Sequence, residues 1–175
     1  IIDNRVLMVP VGCGKCMECK GQKSREWVIR LEEDIKEHKN GKFVTLTFSE
    51  ESLIKLQNHK EVKNYSGYDL DNKIATFAVR KFMERWRKKY KKSVRHWLVT
   101  ELGGNNTERI HLHGILYTDN IEDIAKIWNY GIVTIGKSKF NKEGKRLDNN
   151  TLGWVNGKTI GYIVKYIKRN FYIIV

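Results

Sequence analysis

No run of about 18 apolar residues occurs in the chain, which excludes a membrane-spanning helix. No basic-then-apolar leader is visible, which argues against secretion. Cysteine is scarce and odd in number: Cys13, Cys16 and Cys19 are the three. They cannot all pair with one another, so a disulfide framework is excluded and a reducing cytoplasm is the expected compartment. No internal repeat and no linker divides the 175 residues, so a single domain over 1–175 is expected. The chain opens on Ile1 and closes on the apolar Phe171-Tyr172-Ile173-Ile174-Val175, as a domain cut from a longer protein would. Acidic residues are outnumbered: 20 Asp+Glu face 33 Lys+Arg, a net charge of +13.

That surplus on a chain with 41% hydrophobic residues describes a folded domain with an acidic polymer as partner, most often nucleic acid. The basic residues cluster. Arg80–Lys92 carries Arg85, Lys88 and Lys89 with Trp86 and Tyr90 interleaved. Lys165–Arg169 carries Lys168 and Arg169 beside Tyr162 and Tyr166. Cations follow phosphates and aromatic faces stack unpaired bases, so both stretches are candidate DNA contacts.

Periodicity predicts strands over Arg5–Val11, Phe43–Phe48, Val94–Glu101, Arg109–Tyr117 and Gly131–Ile135. It predicts helices over Ser24–His38, Asn72–Tyr90, Ile121–Trp128 (with Asn120 as its cap) and Thr159–Asn170. Gly12–Cys19 reads as a turn, and 58–71 and 137–150 as polar loops. The expected fold is α+β, a mostly antiparallel sheet of about five strands with packed helices.

His111 and His113 are the most informative pair. Side chains two apart on a strand share a face, so both imidazoles project together while Ile110, Leu112 and Leu116 face the opposite way. Such a pair is a bidentate metal site or a hydrogen-bonding platform. Glu101 ends the strand before the hairpin. It is either a third ligand or a solvated carboxylate paired with Arg109. Two imidazoles and a carboxylate suit Mn²⁺ or Mg²⁺. Tyr162 and Tyr166 lie four apart on the last predicted helix, with Lys165 and Arg169 each three residues after a tyrosine. The tyrosines are either buried rings or phenols flanked by cations. A phenol needs such help, because with a pKa near 10 only about one in a thousand is ionised at pH 7.

Two further patterns occur. Gly131–Ser138 matches G-x-x-x-x-G-K-[ST] letter for letter. Its interior of Ile132, Val133, Thr134 and Ile135 favours extended chain, so a strand rather than an ATP loop is expected. Cys13, Cys16 and Cys19 are either three reduced thiols or ligands of a structural Zn²⁺, whose fourth ligand would be His38, His59, His96 or a partner chain.

Four pieces in order resemble the HUH endonuclease superfamily. They are Thr45-Leu46-Thr47-Phe48, Glu101, His111-Leu112-His113, and Tyr162 through Arg169. With Val9–Cys16, the two-tyrosine form is most similar to replication initiators of small single-stranded DNA phages, the Microviridae, and especially the gokushovirus group. The resemblance implies a ferredoxin-like or RRM-like sheet. It also implies a sequence-specific endonuclease and strand transferase that starts rolling-circle replication through a 5′-phosphotyrosine on single-stranded origin DNA. On that pattern His111, His113 and Glu101 hold the metal, Tyr162 and Tyr166 attack, and Lys165 assists. A host helicase is an implied partner. Arg169 stands where a lysine commonly follows the second tyrosine, and a guanidinium does not readily shuttle a proton. The alternative from another class is a non-catalytic basic module that holds single-stranded nucleic acid.

Overall fold

The β-branched and aromatic segments 43–48, 94–101 and 109–117 are extended in the computed structural model, which describes residues 11–103, 109–153, 155–165 and 173–174. The elements in order are α1 (Met17–Glu37), β1 (Gly41–Leu46), α2 (Glu50–Gln57), α3 (Gly67–Tyr90), β2 (Arg95–Leu102), β3 (Ile110–Tyr117), α4 (Ile121–Trp128), β4 (Val133–Ile135), β5 (Ser138–Phe140), α5 (Gly157–Val164) and β6 (Ile173–Ile174). The strands form one sheet in the order β5-β4-β1-β3-β2-β6, with antiparallel neighbours throughout. The fold is α+β as expected. Four of the five expected strands are present, and the short β5 and β6 are added to them.

The topology explains how distant residues meet. β1 and β2 are joined through α3 and admit β3 between them. β3 continues through α4 to β4 on the far side of β1. This is the split β-α-β arrangement of ferredoxin-like sheets. One face of the sheet presents Val44, Leu46, Leu98, Ile110, Leu112 and Leu116 to α3 and α4, sealing Phe82, Trp86 and Trp128 in the larger core. The opposite face presents Trp97, Val99, Ile115 and Tyr117 to Leu31 of α1 and to Ile160, Ile163 and Val164 of α5. Ser24 Oγ donates to the Val164 carbonyl at 3.3 Å and ties those two helices together.

Several boundaries depart from the sequence reading, each for a physical reason. α1 begins at Met17, not Ser24, so Cys19 is helical rather than in a turn. The first turns of α1 are largely exposed and offer no apolar stripe to read, although Met, Glu, Lys and Gln favour helix. α2 is an addition to the expected elements. Its signal is local: Ser49 accepts from the Ser52 N–H at 3.2 Å, with Glu50 and Glu51 in the first turn. α3 starts at Gly67 inside the expected loop, and β5 lies inside the expected 137–150 loop. Asn120 precedes α4 but its side chain makes no cap. Its own N–H donates to Thr118 Oγ1 at 3.1 Å instead. Arg5–Val11, apart from Val11, and the end of the last predicted helix beyond Lys165 lie outside the described residues.

The Gly131–Ser138 pattern is a hairpin and no phosphate loop. Ile135 pairs with Ser138 across a two-residue connection. Gly136 takes φ +61 there, the positive value the first position of such a loop requires. A strand, β5, follows the lysine where a phosphate loop would open a helix.

Gly114 holds the centre of the sheet close-packed. A Cβ there would lie 2.0 Å from the Trp97 carbonyl oxygen and 2.8 Å from Leu98 Cα. Both are backbone atoms of β2, so they move only by breaking the β2–β3 ladder. Gly114→Ala is expected to cost about 3 kcal/mol. Urea unfolding would show this as a lower midpoint with an unchanged slope.

Candidate functional site

The β2–β3 register sets Glu101 opposite His111 and Val99 opposite His113. The β1–β3 register sets Thr45 opposite His113 from the other side. Glu101 and both histidines therefore share the face that carries α1 and α5. Glu101 Oε2 lies 2.7 Å from His113 Nε2 and 3.3 Å from His111 Nε2. Three candidate ligand atoms, one from each residue, lie within 4.8 Å of one another. Arg109 pairs with Glu50 at 2.6 Å, so it leaves Glu101 to the histidines.

The other ring nitrogens are held from behind. His111 Nδ1 lies 3.1 Å from the Arg109 carbonyl oxygen, which can only accept. That fixes the proton on Nδ1 and leaves the Nε2 lone pair facing Glu101. His113 Nδ1 lies 3.0 Å from Thr45 Oγ1, a hydroxyl that serves either tautomer. Burial is the main cause that pushes the His113 pKa down to about 4. The neighbouring His111 adds to it, and together they outweigh the opposing Glu101 carboxylate. His113 is therefore neutral, as a ligand must be, across the physiological range.

The donor set fits a hard or borderline divalent cation. Neighbouring ligands of an octahedral ion at about 2.1 Å stand about 3.0 Å apart, and the two Nε2–Oε2 separations bracket that value. The imidazoles are oriented by hydrogen bonds from outside the ligand set, as in metal sites generally. The sequence gives Thr45 a scaffold strand and a supporting role, and its bond to His113 gives that role content. Thr45→Val is expected to weaken Mn²⁺ binding about tenfold or more while leaving the fold intact, as a calorimetric titration would show.

α5 brings a phenol to this cluster. Asn156 and Thr159 form a reciprocal capping box that fixes its start. Ile160, Ile163 and Val164 face the core, so Tyr162 and Lys165 face outward. Tyr162 is 44% exposed, which excludes a purely packing role. Its ring stands edge-on to His113, with centroids 6.3 Å apart. Lys165 Nζ lies 3.7 Å from the centre of the Tyr162 ring, close enough for its charge to act on the phenol. Phe43 is a site residue that sequence reasoning missed. It stacks parallel to His113 at 6.1 Å and meets Tyr162 edge-on at 6.0 Å, filling the angle between strand and helix. The available signal was parity, since Phe43 shares a strand face with Thr45.

A cavity of about 600 Å³ opens beside His111, lined by Thr47, Phe48, Arg109, Ile132, Asn141 and others. A second, of about 610 Å³, lies away from the histidines against Asp119, Asp123 and Arg146.

The other candidate residues are not gathered here. Arg85, Lys88 and Lys89 belong to α3, on the opposite face of the sheet. The Arg85 guanidinium donates to the Ile127 and Trp128 carbonyls at 2.8 and 3.1 Å and to the Tyr130 hydroxyl at 3.2 Å, closing the end of α4. Lys89 pairs with Asp123, and Lys88 is exposed. Tyr166, Lys168 and Arg169 lie outside the described residues. Cys13, Cys16 and Cys19 form a separate group at the start of α1.

Among the described residues, no helix is long and apolar enough to cross a membrane. No solved structure matches the chain. The replication-associated protein ORF2 of Spiroplasma virus 4 is 24% identical over 160 residues, an alignment covering 79% of this chain and 47% of that protein. The chain thus spans about half the length of that relative. The family model of the replication-associated protein ORF2 matches residues 41–171, a span that begins with β1 and includes Glu101, both histidines and both tyrosines. With most of its length and the whole histidine–tyrosine site inside that match, the chain belongs to the replication-associated protein ORF2 family.

Proposed function

We propose that this chain is the nicking and joining domain of a phage replication initiator of the HUH type, similar to those of the Microviridae. It cuts single-stranded origin DNA at a specific sequence and keeps the 5′ end as a phosphotyrosine. The observation that carries this reading is the approach of the exposed Tyr162, with Lys165 over its ring, to His113 on one face of the sheet.

Glu101, His111 and His113 would hold Mn²⁺ or Mg²⁺, whose chemistry there is to polarise the scissile phosphate. Tyr162 Oη attacks the phosphorus, forming the Oη–P bond as the P–O3′ bond breaks. The phenol proton passes to water, and the departing 3′ oxygen is protonated to a hydroxyl that primes synthesis. The Lys165 ammonium favours the phenolate and does not itself accept a proton. One phosphodiester replaces another, so joining is the reverse step and needs no nucleotide. Tyr166 is the second nucleophile of the pair. The cavity beside His111 is wide enough to receive the strand next to the scissile bond.

The test is incubation with origin-containing single-stranded DNA and Mn²⁺, followed by a denaturing gel. A protein–DNA band that survives denaturation and disappears in a Tyr162→Phe, Tyr166→Phe double variant is expected. Salt-sensitive binding with no such band would instead identify a binding module.

A further inference from the structure

The three cysteines stand apart from the triad and have their own geometry. Cys16 is the N-cap of α1 and Cys19 lies one turn into it, so both sulfurs emerge on one side of the helix start. Gly14, at φ +72, folds the preceding chain back. Cys13 Sγ then lies 3.9 Å from Cys19 Sγ and accepts the Cys16 backbone N–H at 3.3 Å. Gly12 passes against the same sulfur cluster. A Cβ there would lie 2.9 Å from Cys19 Sγ, so the absence of a side chain makes the room.

These distances separate two chemistries. A disulfide needs an S–S distance of about 2.05 Å. Two thiolates on one tetrahedral Zn²⁺, each at about 2.3 Å, stand about 3.8 Å apart, close to the Cys13–Cys19 separation. All three sulfurs lie within 4.8 Å of one another. Thiolates select a thiophilic ion over Mg²⁺ or Mn²⁺. The N–H donated to Cys13 Sγ is the kind of outer hydrogen bond that steadies a metal-bound thiolate.

We infer that Cys13, Cys16 and Cys19 bind one Zn²⁺ through three thiolates at the start of α1, with solvent in the fourth position. The histidines that could have completed a closed site are elsewhere. His38 ends α1, some twenty residues along the helix. His59 packs on Phe77, and His96 bonds to the Val94 carbonyl. Three thiolates exceed the charge of the ion by one, and Lys15, Lys20 and Lys23 supply positive charge in the same segment. The ion would pin the first turn of α1, the helix that Ser24 ties to α5.

The full chain, purified with reductant and no chelator, is loaded with Zn²⁺ alone, desalted, and analysed for metal. About one zinc per chain is expected, retained in a His111→Ala, His113→Ala variant and falling at least about tenfold in Cys13→Ser, Cys19→Ser. Exchange of the wild-type chain into Co²⁺ is expected to give thiolate-to-metal charge-transfer absorption in the near ultraviolet. That readout stands if the cysteine variant fails to fold. Zinc that leaves with the histidines and stays without the cysteines would overturn the inference. So would a wild-type chain that holds no metal and carries a disulfide, or a cobalt spectrum without sulfur bands.

Discussion

Tyr162→Phe is expected to slow single-turnover cleavage of single-stranded origin DNA by about a thousandfold or more, and to remove the nucleotide adduct from residue 162. Phenylalanine keeps the ring that meets Phe43 and His113 edge-on, and the apolar contacts that seat α5 are made by Ile160, Ile163 and Val164. Folding and DNA binding should therefore be unchanged, and only the attacking oxygen is lost. Peptide mapping of the wild-type adduct locates the linkage directly. Whatever slow cleavage survives should place its adduct on Tyr166. If the phenylalanine variant cuts at the wild-type rate and the nucleotide maps to neither tyrosine, the nucleophile has been misassigned. Lys165→Ala bears on the same site more weakly, because it removes a charge that favours the phenolate and leaves the nucleophile itself in place.

His113→Ala is the second large effect. Losing a buried ligand is expected to remove several kcal/mol of transition-state stabilisation, about a thousandfold in rate, while salt-sensitive DNA binding persists. Chelation of the wild-type protein should reproduce the loss, and added Mn²⁺ should reverse it in wild type only. Cleavage that ignores both the substitution and the chelator would rule out a role for the cation. The same residue has a signature in pH. The unfolded chain takes up a proton at His113 near pH 6.5, whereas the folded chain does so only at about 4. Between those values the unfolded state binds more protons, so the metal-free protein loses stability as pH falls through that window. His113→Gln should flatten that part of the stability profile, as denaturant midpoints at several pH values would show.

Some of this was legible in the sequence because it is governed by local period. Strand alternation put His111 and His113 on one face and Ile110, Leu112 and Leu116 on the other, and the larger core contains all three of those apolar residues. The strong apolar stripe of Ile121–Trp128 marked α4 to the residue. Exposed segments carry no such stripe, which is why the early start of α1 and the whole of α2 were missed. A lone carboxylate or a basic run has no address without the fold. Lys89 faces Asp123, and Arg85 faces the end of α4, because α3 packs on the far side of the sheet.

From the sequence alone came the α+β class, the paired imidazoles and a helix bearing Tyr162, all properties of side-chain spacing over a few residues. Tertiary structure decided that Glu101 stands across from His111, that Thr45 holds the back of His113, and that Tyr162 arrives on that same face. Strand register and the choice of sheet face follow from burying apolar surface contributed by residues far apart in the chain, and no local window contains that information.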